Sequence, residues 1–127
     1  MKRTRGQVEA EIGEAIIRFE KEYMGRGPLE TQTYLVDDMV LVRLKGVLTQ
    51  ADHQLATSAE GSKGRELIKL MRVELLEKGR SLLEGSVEDI TGRKVISLHT
   101  DISTITGERI FVFTLDGFPE CRPPREP

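Results

Sequence analysis

Val8, Ile12, Ala15, Ile16, Phe19 and Tyr23 recur at spacings of three and four, with Glu9, Glu14, Arg18, Lys21 and Glu22 mostly between them. That period is the stripe of an amphipathic helix. Thr4 and Gln7 fit the Thr-x-x-Gln capping box that opens such a helix. Gly25 can close it in the left-handed conformation that glycine adopts cheaply. Pro28 then bars continuation and pushes Gly27 towards extended geometry. From there the period changes to two, so residues 29–36 and 40–46 read as strands around a tight reversal at Asp37-Asp38. Without the usual glycine the type of that turn stays open. Val40, Val42 and Leu44 share one face of the second strand; Leu41, Arg43 and Lys45 share the other. One side of the hairpin is therefore core and the other at least partly wet.

Thr49 reads as the N-cap of a short helix to about Ser58, with Asp52 at the reciprocal position. Glycines 61 and 64 interrupt it. From Arg65 a longer helix carries Leu67, Ile68, Met71, Leu75, Leu82 and Leu83 as apolar positions. Gly79 and Gly85 are places to bend or split it, with Ser86 capping a final piece through Ile90. Gly92 ends the helical region much as Gly25 ended the first. Residues 94–102 and 108–115 read as two further strands joined by "STITG", with Phe111, Phe113 and Leu115 alternating on one face.

The order is thus α-ββ-αα-ββ, with helix, Gly-Arg, strand, turn, strand occurring twice, at Gly25-Arg26 and at Gly92-Arg93. It predicts an α+β fold, a four-stranded, mostly antiparallel sheet with helices packed on one face. Residues 1–117 form a single domain on this reading. The proline-rich tail, 118–127, is expected to be extended or disordered. An apolar outer sheet face would be a natural surface for a homodimer.

Composition narrows the function. The 127 residues suit one domain with a modest core. A net charge of -2 with scattered Lys and Arg gives no electrostatic case for nucleic-acid binding. "MKRTR" is basic but short and reads as a solvated terminus. "GQVEAEIGEAII" is too charged for a secretory signal, and no stretch approaches a membrane span. The single cysteine, Cys121, excludes an intramolecular disulfide and suits a reducing cytoplasm. The expected location is cytoplasmic, peripheral to a membrane at most and then through a partner.

Candidate chemistry is sparse. "GRGP" runs from a helix into a strand, the wrong polarity for a phosphate-cradling glycine loop. "GSKGREL" has the right polarity to offer amides and Lys63 to an anion, but lacks the preceding strand and the full spacing. Arg43 and Arg72, and Arg26 with them, could converge with it on a small anion; solvated or salt-bridged arginines are the plainer alternative. His99 and Asp101 lie two apart on a strand and so share a face, enough for an oriented imidazole or half a metal site. The only other histidine is His53, on a different helix, so no third ligand is evident. Asp37 and Asp38 are turn formers without the graded ligands of a calcium loop. No nucleophile stands in a triad or elbow context. Neither a metal nor a cofactor is expected.

The combination of "GRGP", "VDDMVLVRLKGVLTQAD", "ITGRKVISLHTDIST" and "GERIFVFTLD", in that order, resembles the MpsC family of small bacterial proteins. The resemblance spans roughly residues 8–116, and "LVRLKGVLTQAD" and "SLHTDISTITGERIFVFTLD" are its most specific parts. Gln50 stands where the family pattern has a proline and Asp52 where it has a glutamate; both exchanges keep the capping logic. The resemblance implies a soluble accessory component of a sodium-translocating, membrane-potential-generating system associated with cation and inorganic-carbon transport. It carries over no catalytic residues.

Three readings follow. The first is a non-enzymatic accessory or regulatory partner of a membrane transporter subunit, docking through the exposed sheet face or the helix over 65–80. The second is a small-anion or metabolite sensor using Lys63, Arg43 and Arg72. The third is an enzyme of unknown type using His99 and Asp101.

Overall fold

Helix starts and stops form where capping chemistry places them. The computed structural model describes residues 3–57 and 61–122. Helix α1 spans Arg5–Met24; the Thr4 hydroxyl accepts from the Gln7 N–H at 3.1 Å and the Gln7 side chain accepts from the Thr4 N–H at 2.8 Å. Helix α2, Gln50–Ala56, repeats the device with Thr49 and Asp52. Gly25 closes α1 at φ 88°, and Gly92, at φ 69°, follows the last helix.

Strands β1, Glu30–Val36, and β2, Met39–Lys45, form the first hairpin. Asp37 takes φ 55° to make its turn, a left-handed conformation that aspartate tolerates better than most residues. Strands β3, Val95–Ile102, and β4, Arg109–Leu115, form the second. β2 and β4 pair antiparallel, joining the hairpins into one sheet of order β1-β2-β4-β3. A bulge between Val95 and Ser97 sets Ile96 outward.

The core lies between one sheet face and the helices. Val40, Val42, Leu44, Phe111, Phe113 and Leu115 meet Val8, Ile12, Ile16 and Phe19 of α1 there. From the third helix come Ile68, Leu76, Leu83 and Val87.

That third helix corrects the sequence reading. α3 is one uninterrupted helix, Gly61–Thr91, without a split at Gly79 or Gly85. Gly79 is an approach point: a Cβ there would stand 2.6 Å from the Phe19 ring and 2.8 Å from that of Tyr23. The glycine lets α1 and α3 close on each other. Ser86 caps nothing, since its hydroxyl donates to the Leu82 carbonyl within the helix. Gly64 is likewise helical, with the Leu55 carbonyl oxygen of α2 occupying the space of its missing side chain.

The first part of the tail is docked. Glu120 N–H donates to the Thr91 carbonyl at 2.9 Å, and Arg122 N–H to that of Arg3 at 2.7 Å. The remainder, 123–127, lies outside the described residues, as does Ser58.

Candidate functional site

The sheet face away from the helices is set by the two-residue period of its strands. Tyr34, Leu41, Val112 and His99 lie in one row across it, in register; Gln32, Arg43, Ile110 and Asp101 form the next, and Val36, Met39, Thr114 and Ser97 a third. Its centre is therefore apolar. Charges rim it: Arg43 pairs with Glu108 at 2.6 Å, Lys45 with Glu30 at 3.7 Å, and Asp101 with Lys69 of α3 at 3.3 Å.

A second apolar surface runs along α3. Its buried stripe is Ile68, Arg72, Leu76, Gly79, Leu83 and Val87, at the spacings of one helix face. Yet Leu67, Leu70, Met71 and Leu82 are 51%, 58%, 46% and 58% exposed. The apolar arc of α3 is wider than the fold covers. A single surface-packed helix normally shows one such stripe and a polar back.

The candidate anion ligands are dispersed. Arg43 is on the outer sheet face, held by Glu108. Arg72 is buried on the opposite, helix-bearing side; one guanidinium nitrogen donates to Asp52 at 2.9 Å and to the Val47 carbonyl at 3.1 Å. Lys63 is exposed in the first turn of α3. Among the described residues, none of the four main surface grooves is lined by any two of them. Arg26 donates to the Gly46 carbonyl at 2.7 Å. His99 and Asp101 do share the outer face, but Asp101 turns to Lys69 and to the Ile102 N–H. Among the described residues no group of three or more His, Cys, Asp or Glu side chains is placed to hold a metal ion.

The structure also assembles a buried charged set that sequence reasoning missed. Glu20 of α1, Arg72 of α3, Asp52 of α2 and Arg109 of β4 are each at most 4% exposed. Arg109 lies over the Phe111 ring, 4.8 Å from its centroid, and donates to the Thr100 hydroxyl at 3.3 Å. Both Glu20 carboxyl oxygens, Nε and Nη1 of Arg72, and Nη1 of Arg109 have no hydrogen-bond partner among the described residues. Burial pushes the Glu20 carboxyl above its usual range, against the pull of Arg109 and Arg72. Burial also lowers Arg109, with Glu20 opposing. For Asp52 burial acts upward, but the Thr49 N–H and Arg72 outweigh it and hold the carboxyl below its usual value. The signal was in the pattern: Arg109 precedes Phe111 by two, Glu20 follows Ile16 by four, and Arg72 sits four from both Ile68 and Leu76.

No helix among the described residues is long and apolar enough to cross a membrane. The family model described as "Na+-translocating membrane potential-generating system (MpsC)" matches residues 4–117. The uncharacterized protein YbcI of Bacillus subtilis (strain 168) is 44% identical over 115 residues, covering 91% of this chain and 90% of the relative. The uncharacterized protein YrhF of the same strain is 29% identical over 108 residues, 84% and 85% of the two chains. No solved structure matches. Since the match runs from the α1 cap past the end of β4, this chain belongs to the MpsC family.

Proposed function

We propose that this protein is a non-catalytic accessory subunit of a membrane cation or inorganic-carbon transport system, sited on the cytoplasmic side and held there by a membrane-embedded partner. The family description names a Na+-translocating, membrane-potential-generating system, which supports the cation side of this reading. The observation that carries the docking role is the exposed apolar cluster of α3, where Leu67, Leu70 and Met71 stand at the three- and four-residue spacings of one helix side. Contiguous apolar surface of this kind on a charged protein marks an interaction site. In this reading α3 contacts the transporter subunit, and the outer sheet face, centred on Tyr34, Leu41 and Val112, joins two copies.

The test is complementation. A strain lacking the gene receives either the wild type or the Leu70→Glu/Met71→Glu double variant, and sodium-dependent membrane potential is read in inverted vesicles. Both positions are solvent-exposed, so the variant is expected to fold normally and fail to restore the potential. Mild crosslinking with membranes retained is expected to recover a polytopic subunit with the wild type only. Restoration equal to wild type by the variant would sink the α3 docking role.

A further inference from the structure

Leu35 turns its backbone away from β2. Its N–H donates to the Glu9 carboxylate at 2.9 Å and its carbonyl accepts from the Arg5 guanidinium. Two side chains of α1 thus stand where a neighbouring strand would. In an antiparallel ladder a residue's N–H and C=O point to the same side, and the side alternates along the strand. Thr33 and Thr31 therefore present their backbone groups along the same edge as Leu35, and β1 is the outermost strand on that side. Among the described residues no side chain takes the capping role at Thr31 or Thr33. The edge is plugged at one end and open at the other.

Beside the open stretch lies a groove of about 280 Å³, with Ala10, Gly13, Glu14 and Ile17 of α1 on one wall and Thr31 and Thr33 on the other. Gly13 keeps it close to the strand, since a Cβ there would stand 3.2 Å from the Thr33 hydroxyl oxygen. That hydroxyl is buried and has no partner among the described residues. Buried polar side chains are nearly always hydrogen-bonded, so this one marks a site that the chain alone leaves incomplete. Glu14, on the groove's rim, is exposed and, among the described residues, in no ion pair.

We propose that the β1 edge at Thr31 and Thr33 binds a short extended segment of a partner protein by strand addition, with a lysine or arginine of that segment against Glu14. Backbone pairing supplies the affinity and the groove the selection, as in other strand-addition sites. The Arg5–Glu9 plug ends the ladder at Leu35, so the segment is short. Side chains facing Ala10 and Gly13 must be small. A second copy of β1 is the poorer occupant: its one charge is Glu30, and each copy would bring a further Glu14 to the seam.

The test uses the full chain, isotope-labelled, titrated with the peptide VTKVTV and with VTEVTV, and followed by amide chemical shifts. The lysine peptide is expected to move the amides of Thr31, Thr33 and Gly13. It should bind about two- to fivefold more tightly than its glutamate counterpart, the scale of one exposed ion pair. Glu14→Lys should reverse that preference. Thr31→Pro should abolish binding, because it removes an outward N–H and no β1–β2 bond, a change that edge strands tolerate. The proposal is overturned by shifts that do not saturate, by shifts confined to the outer sheet face, or by equal binding to Thr31→Pro. A dimer that Thr31→Pro dissolves would also overturn it, by assigning the edge to a second copy. Should Thr31→Pro not fold, the Glu14→Lys reversal decides alone.

Discussion

Glu20, Asp52, Arg72 and Arg109 share one low-dielectric region with incomplete hydrogen bonding, and the titration of Glu20 and Asp52 should be visible in stability. The folded value of Glu20 is raised, so the folded state holds that proton more tightly than the unfolded chain, whose value is about 4.3. Its contribution to stability therefore falls as pH rises between the two values. Glu20→Gln has no proton to lose. Its unfolding free energy relative to wild type should grow in the variant's favour from about pH 4 towards neutrality, as read by urea titration at several pH values. A difference flat in pH would contradict this. Asp52 acts in the other sense. Its folded value is depressed, so its contribution is present above the unfolded value of about 3.9 and is lost as pH falls through the folded one. Arg72→Met leaves Asp52 buried without its partner and should cost about 3–5 kcal/mol. Addition of Asp52→Asn should recover part of that loss in a double-mutant cycle.

At the scale of elements, α1 and α3 show how one residue type serves different ends. Gly79 and Gly85 look alike in sequence, and both read as breaks. In the folded chain α3 passes through both. A methyl at Gly79 would press on the buried Phe19 ring, which stacks on Tyr23 at 4.8 Å. At Gly85 it would meet nothing within 4 Å among the described residues. Gly85→Ala should therefore stabilise by about 0.5–1 kcal/mol through helix propensity. Gly79→Ala should destabilise by about 1–3 kcal/mol through overpacking. Thermal unfolding of the two variants side by side checks both signs. Equal stabilisation would mean that the helices do not approach as described.

For the whole molecule, the pairing of β2 with β4 matters most, because it turns two hairpins into one sheet with a covered and an uncovered face. On the proposed dimer, Val112→Glu puts a charge at the centre of the uncovered face, opposite Leu41. Sedimentation velocity should then show a monomer where the wild type shows a dimer, with little change in melting temperature since Val112 is outside the core cluster. A wild type that sediments as a monomer at all concentrations would remove the sheet face from the account.

Sequence alone determined what depends on neighbours along the chain. Capping at Thr4 and Thr49, the left-handed stop at Gly25, the α-ββ-αα-ββ order and the inward alternation of β2 and β4 were all legible. So was the family, through ordered motifs across nearly the whole chain. Only tertiary structure decided the rest. Strand order rests on contacts between residues some seventy positions apart, such as Val42 with Phe111. The fate of Arg43 and Arg72 depended on which face each strand or helix buries. Their shared charge suggested one site; the fold set them on opposite sides of a sheet. The open β1 edge was hidden for the same reason, since a periodic pattern shows which way side chains point but not whether another strand lies beside the backbone.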